Sequence, residues 1–436
     1  MFSKNEPKVI NAWCFYDWAN SVHALVIVTA IFPIYFGATA VTRSPDWVDF
    51  FGAEFRNSVV FSYAISAAFL IIALTSPICS AMADYSGRKK LFMKIFCYFG
   101  SANSLLLYFF TKETYAISTL FFVFSLIGWA GSIVFYNSFL PEIVTEDRFD
   151  AVSARGFSMG YIGSVLLLIF NLTMILKPQW YGLSEPSLPP RISFLLVGVW
   201  WAGFAQYTFA HLPEHSHGNN TKASGWLFNG FKELAKVFHQ VRNLLLLKRF
   251  LVAYFCYNMG VQTVMYLATL FGDKELHLDS GSLITVLLLI QLVAILGAWL
   301  FSKLSALAGN FQALRIAVLI WIGICVAAYF VATENQFYGL AFVVGLVMGG
   351  IQSLSRSTYA KLLPRYTPDT ASFFSFYDVC DKISTVLGTF MYGFIIQLTG
   401  SMRYSVLFIG GIFVLGFMML LFLPNLKKYR PNIASA

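Results

Sequence analysis

Charge is scarce in this chain of 436 residues. Lys, Arg, Asp and Glu together supply 12% of it, about half the share found in ordinary soluble domains. Apolar residues supply 58%, so a soluble globular domain is excluded. The six cysteines (Cys14, Cys79, Cys97, Cys256, Cys325 and Cys380) are scattered and form no CxxC pair. That dispersal excludes a disulfide framework and a thiolate metal site. No glycine-rich P-loop precedes a Lys-Ser or Lys-Thr pair, so nucleotide hydrolysis is not expected to drive the protein. A cleavable leader is not visible either, because Met1 to Ala12 is short and polar and the first apolar run continues into the rest of the chain.

What remains is hydrophobic sequence in long runs. Roughly 20 mostly apolar residues cross a bilayer as a helix. Twelve stretches qualify: Trp18–Phe36, Val59–Met82, Leu91–Phe110, Tyr115–Leu140, Phe157–Leu176, Ile192–His211, Phe250–Phe271, Leu283–Leu304, Ala313–Ala332, Tyr338–Leu362, Ile383–Leu398 (with an earlier start near Phe373 as an alternative) and Tyr404–Leu423. Backbone exposed to lipid must satisfy its own hydrogen bonds, so these continuous runs predict helices, and they lack the short alternation of a barrel. The fold class expected is an all-α membrane protein with 12 transmembrane helices.

The net charge of +9 does not indicate nucleic acid. Lys and Arg gather in alternate loops, by about three to one over the intervening ones, and the basic side of a membrane protein is the cytoplasmic side. Both termini are therefore expected in the cytoplasm. One long polar stretch, from His211 to Lys248, divides the spans six and six. This predicts a first bundle over 1–211, a cytoplasmic linker over 212–249 and a second bundle over 250–436. Within the linker Trp226, Phe228, Phe231, Leu234, Val237 and Phe238 share one face of a helix, which suits a helix lying at the membrane surface. His211, His215 and His217 sit in its polar entry without a ligand pattern, and no metal or other cofactor is expected.

Between the second and third spans lies SAMADYSGRKK, Ser80 to Lys90. Asp84, Gly87, Arg88 and Lys89 make it similar to the signature loop of the major facilitator superfamily. Gly87 suits a tight turn, and Asp84 suits helix N-terminal amides or an Arg across the interface of the halves. Such contacts latch one conformation and break in the other. The corresponding loop of the second half, Ser302 to Arg315, keeps Gly309 but has Ala306 at the acidic position, so a weak latch is expected there.

Four further segments, Tyr16–Phe36, Phe135–Ile143, Ser153–Ser164 and Ser353–Pro364, resemble the branch of that superfamily named after the fungal vacuolar amino-acid effluxer of autophagy, with its bacterial members. The resemblance implies the major facilitator fold, two six-helix bundles that rock about a central site, and a secondary active transporter in the cytoplasmic membrane of a bacterium. The implied solute is small and polar, an amino acid or organic anion, with protons as candidate coupling ion, lipid as surroundings and a monomer as the unit. A membrane-embedded transferase, or a receptor or scaffold that does not transport, are the alternatives.

In that superfamily the first, fourth, seventh and tenth helices line the cavity. By this resemblance the candidate cavity residues are Asn20, His23, Tyr136, Asn137, Tyr254, Asn258, Gln262, Tyr266, Gln352, Arg356 and Tyr359. Spacing near one helical turn places several on shared faces, as with Tyr254, Asn258 and Gln262. Ionisable groups in a span are expensive and mark function. The candidate gating or coupling groups are Asp17, Asp84, Arg88, Glu142, Arg155, Asp378, Asp381 and Lys382. Arg356 offers a planar fork to a solute carboxylate or to Asp17, Asp378 or Asp381. His23 is a candidate for proton exchange because imidazole titrates near neutrality. Most of these groups are expected toward the cytoplasmic end. Eight glycines (Gly128 and Gly131 in the fourth helix, Gly156, Gly160 and Gly163 in the fifth, Gly345, Gly349 and Gly350 in the tenth) predict close helix packing.

Overall fold

Long runs of Leu, Ile, Val and Phe fold as helices wherever they occur, and the polar breaks between them become the turns. A computed structural model describes residues 4–40, 47–214, 226–364, 367–399 and 401–424. In chain order the helices are α1 (Pro7–Val22), α2 (Phe32–Thr39), α3 (Asn57–Ser86), α4 (Lys89–Leu106), α5 (Tyr115–Ser138), α6 (Leu140–Ile143), α7 (Phe149–Leu176), α8 (Leu188–His211), α9 (Trp226–Asn243), α10 (Leu245–Leu276), α11 (Ser280–Ala308), α12 (Asn310–Phe330), α13 (Glu334–Leu362), α14 (Thr370–Thr399) and α15 (Met402–Leu421). Among the described residues eleven spans are long and apolar enough to cross a membrane. The segment Leu245–Tyr266 of α10, bent by 93° from Leu234–Asn243, brings the number to twelve.

Three boundaries differ from expectation in ways that bear on function. The first span begins at Pro7 rather than Trp18 and runs to Thr39, with a π-helical stretch over His23–Ala30. Asp17 is thus ten residues into the helix, about 15 Å along its axis, rather than near its end. The eleventh span begins at Thr370, close to the alternative start near Phe373 and not at Ile383, so Asp378, Asp381 and Lys382 lie within α14. The fifth begins at Phe149, which brings Asp150 into its first turn. A short antiparallel hairpin that the sequence reading missed, β1 (Trp47–Phe50) and β2 (Ala53–Arg56), joins the first two spans.

The turns obey local chemistry. Gly87 ends α3 at φ 67°, a left-handed conformation that a glycine adopts without strain. Asp279 caps α11, accepting from the Ser282 hydroxyl at 2.8 Å and from the amides of Gly281 and Ser282. These bonds hold its carboxyl below the usual carboxylate range. The helix α9 packs on α3 and α14. Val237 and Val241 are buried and Lys236 reaches Asp369 at 3.0 Å, so this amphipathic helix docks on the bundle as well as lying across it. The side chains of Trp226, Phe228 and Phe231, and the residues His215 and His217, fall outside the described residues.

Glycines set the closest helix contacts. A Cβ at Gly345 would stand 2.6 Å from the Ile290 carbonyl, and one at Gly349 would strike the carbonyl of Ala294, both on α11. Gly156, Gly160 and Gly163 seat α7 against Asp17, Ser21 and Trp18 of α1 in the same way. Overpacking a tight interface typically costs about 1–3 kcal/mol. Gly349→Val is therefore expected to lower the melting temperature of the detergent-solubilised protein measurably, whereas substitution at Gly323, with open space around it, is expected to leave it unchanged.

Candidate functional site

Between the residues before α9 and those after it lies a central cavity of about 230 Å³. Eight of the candidate cavity residues line it: Asn20, Asn137, Tyr254, Asn258, Gln262, Tyr266, Gln352 and Arg356. From the candidate gating set, Asp17, Asp378, Asp381 and Lys382 line it too. Three expected residues do not. His23 is wholly enclosed; its Nε2 is 2.6 Å from Ser125 Oγ and its ring stacks on Trp129 at 5.8 Å. Tyr136 stands behind the wall, and Tyr359 donates to the Phe373 carbonyl, tying α13 to α14.

One wall carries Arg356. Its Nη1 and Nη2 each lie 3.3 Å from Asp17 Oδ2. Nε donates to Ser153 Oγ at 2.9 Å, Nη2 to the Ser153 carbonyl at 2.8 Å and Nη1 to Asn137 Oδ1 at 3.3 Å. A guanidinium has five N–H donors, and these five contacts occupy them all. Rings of Phe157, Trp13 and Tyr136 cover the group at 4.2, 4.8 and 5.4 Å from its central carbon. Tyr136 also donates to Asp17 Oδ2 at 2.7 Å. The pair is neutral and joins α1, α5 and α7 to α13.

The opposite wall carries a triad on α14. Lys382 Nζ sits 2.7 Å from Asp381 Oδ2 and 3.3 Å from Asp378 Oδ1. Asp381 Oδ1 accepts from Asn258 at 2.9 Å, Gln262 at 3.0 Å and Tyr254 at 3.1 Å. The spacing of these three at successive turns of α10 points them all at one carboxylate, as their i, i+4, i+8 pattern implied. Asp378 Oδ2 is buried with no hydrogen-bond partner.

Two polar clusters join the halves at the end of the bundle where Lys4, Lys89 and Lys361 lie, here called the basic end. In the first, Asp84 accepts from the Ser372 amide (2.7 Å) and hydroxyl (2.6 Å) and from the Ala371 amide (3.3 Å), at the N-terminus of α14. Lys89, buried, reaches Asp84 (3.0 Å), Glu142 (2.5 Å), Thr370 (2.6 Å) and the Pro368 carbonyl (3.0 Å). The cation in this latch is Lys89 and not Arg88, which is exposed at the start of α4. Arg155 is also exposed, and Glu142 accepts from Lys89 and Thr370.

The second cluster corrects the expectation of a weak latch in the second-half loop. Asp150 of α7 accepts from Lys361 (2.6 Å), Ser305 (2.7 Å) and Asn310 (2.8 Å). The acid absent from that loop is supplied by the other half. Sequence reasoning passed over Asp150, Lys361 and Ser153, because nothing in their local pattern distinguishes them from ordinary turn residues.

Comparison with known proteins agrees with this architecture. Residues 5–432 match the family model described as vacuole effluxer Atg22 like. An uncharacterised MFS-type transporter, YxiO, of Bacillus subtilis is 33% identical over 425 residues, covering 97% of this chain and 96% of that protein. Autophagy-related protein 22-2 of Emericella nidulans is 26% identical, over 90% of this chain and 82% of its own. Among solved structures, the human organic anion transporter MFSD10 superposes with a TM-score of 0.72 at 14% identity, covering 96% of this chain and all of its own. The transporter FucP in its outward conformation gives 0.69 at 15%, covering 97% of this chain and 99% of that one. At those identities the structural likeness concerns the fold, which is that of the major facilitator superfamily.

Proposed function

The chain belongs to the Atg22-like vacuole effluxer family, and from that premise we propose that it carries a small polar solute across a membrane by alternating access, coupled to protons. Family and fold make it a transporter and not an enzyme. The observation that carries the mechanism is the pairing of a central polar cavity with two latches at one end only a few residues from the helix termini. In this state the basic end is held shut. By the positive-inside rule that end, with both termini, faces the cytoplasm, so the conformation described is the one closed to the cytoplasm.

Rocking of 1–211 against 250–436 then breaks the Asp84 and Asp150 clusters together and separates Arg356 from Asp17. The solute reaches the cavity from the opposite face and leaves through the opened basic end, or travels the reverse way. An amino acid or an organic anion is the solute class that the relatives suggest. The cytoplasmic membrane of a bacterium is the location in keeping with the bacterial relative, and a single chain contains the whole pathway.

Proton coupling is assigned to Asp378. A buried carboxyl oxygen without a hydrogen-bond partner, on a residue that lines the cavity, takes up a proton without first breaking a bond. Asp381, with its three amide and phenol donors and Lys382, has no such vacancy. Liposomes carrying the purified protein and an internal pH dye test this. Solutes that bind, found by a thermal-shift screen of amino acids, organic anions and amines, are expected to move protons in the wild type. Asp378→Asn is expected to lose proton movement by about tenfold or more; unchanged proton flux in that variant would remove Asp378 from the coupling role.

A further inference from the structure

The charged groups that line the cavity do not balance. Among the described residues they are three carboxylates, Asp17, Asp378 and Asp381, against two cations, Arg356 and Lys382. Asp17 and Arg356 neutralise one another. The surplus negative charge therefore falls on the α14 triad, where a single ammonium serves two carboxylates. Lys382 is itself enclosed, with the rings of Phe69 and Trp129 each 5.4 Å from its nitrogen. Uncompensated charge away from water is costly, so one more positive charge belongs at this place.

We infer that Asp378 and Asp381 form a site for one positive charge, occupied in turn by a proton and by the ammonium group of an amine-bearing solute, so that the two are exchanged. The inference rests on the transport reading above and specifies its solute. Arg356 offers a carboxylate nothing in this state, since its five donors are all engaged. The vacant acceptor is Asp378 Oδ2. An ammonium there lies beside the phenols and rings of the lining, which favour a cation over an anion. On arrival of the amine the protonated Asp378 gives its proton to water, so the triad gains one negative charge that the ammonium balances, and the net charge of the occupied site is unchanged.

The titratable and charged groups that line the cavity with Asp378 fit this accounting. On α14 they are Asp381, Lys382 and Tyr377. From α10 come Tyr254, Tyr257 and Tyr266, and from α7 Tyr161. The pair Asp17 and Arg356 lines the cavity from α1 and α13, and α3 and α5 present the rings of Phe69 and Trp129 to Lys382. Free tyrosine titrates near pH 10, so exchange around neutrality falls to the carboxylates.

Three molecules with one ring and different heads test the site: 2-phenylethylamine, 2-phenylethanol and 3-phenylpropionate, titrated calorimetrically into the full-length protein in detergent. The amine is expected to bind at least about tenfold more tightly than either of the others. It should release a proton at pH values where Asp378 is protonated, and its affinity should weaken by up to about tenfold per pH unit on further acidification. Asp378→Asn should reduce amine binding to the level of the alcohol. If that variant does not fold, the wild-type pH series decides alone, and an amine affinity independent of pH overturns the site. Propionate binding as tight as the amine overturns it as well, and leaves the transport reading intact. Amine binding without uptake into liposomes has the converse meaning: the site stands and transport fails.

Discussion

Replacing Arg356 with alanine is expected to abolish solute flux and to lower the melting temperature more than any other single substitution in the cavity. The guanidinium is 3% exposed and holds five contacts across the interface of the halves. Its removal leaves Asp17 buried, with the Tyr136 hydroxyl as its nearest donor. Breaking a buried ion pair from one side costs about 3–5 kcal/mol, because the remaining charge is uncompensated. Removing both charges is milder. Arg356→Met combined with Asp17→Leu is expected to recover much of the lost melting temperature, since paired burial of ions contributes little over apolar packing.

Flux should not recover in the double variant. Opening the basic end wets both faces of this contact, and an apolar seal resists wetting where a charged one accepts it. Arg356→Lys separates charge from shape. It keeps the cation but has three donors in place of five and no planar fork, so folding should survive while flux falls about tenfold or more. Measuring melting temperature and liposome uptake on the same preparations decides the matter. A folded Arg356→Ala protein with full uptake would eliminate the contact as a gate.

Gly156 gives the same contact an independent test of geometry. A Cβ there would stand 2.6 Å from Asp17 Oδ2 and 3.0 Å from Arg356 Nη2, so the fifth helix needs its glycine where the sequence suggested only close packing. The reason is the charged pair it leaves room for, and that pair joins residues 339 positions apart in the chain. No local pattern carries such information.

Legibility in the sequence followed the same division throughout. Asn258 and Gln262 were readable because a polar residue in an apolar helix must face the interior, and their spacing of four puts them on one side. His23 was misplaced by the same reasoning applied too loosely. From Asp17 to Asn20 to His23 is two steps of three residues, and at 100° per residue the second step leaves the face that the first nearly keeps. The π-helical stretch that begins at His23 shifts the phase again. Tyr359 shares the face of Gln352 and Arg356, yet lies one turn nearer the basic end, where α14 has already closed on α13. Arg88 and Lys89 are adjacent in sequence and chemically alike, and only the packing of α4 selects the second for burial. For the eleventh span a start at Ile383 competed with one near Phe373; the aromatic run before Asp378, with Phe373, Phe374 and Tyr377 all buried, continues the helix and favours the earlier start.

Reversing the charge of Lys361 is the second large effect expected, and it concerns the balance between states. Lys361→Asp places a carboxylate against Asp150 where a cation stood 2.6 Å away. Ser305 and Asn310 remain as donors to Asp150, but they do not offset two like charges. Coupling energies between such elements are typically about 1–3 kcal/mol, or about 5- to 150-fold in an equilibrium, so the population should move from closed to open at the basic end. Spin labels on Arg88→Cys and Leu307→Cys, both exposed positions on opposite halves, report this as a longer distance in a background without the six native cysteines. Combining Lys361→Asp with Asp150→Lys restores the attraction in reverse and should restore the short distance; an unchanged distance in the single variant would mean that the cluster is not a latch. The polarity of the two latches makes the outcome general. In both, the acid comes from the first half, Asp84 or Asp150, and its partners in the second half are α14 amides in one case and Lys361 with two neutral donors in the other. The second-half loop therefore needs no acid of its own, because it is the donating side of the latch, with Ser305 and Asn310 bonded to Asp150.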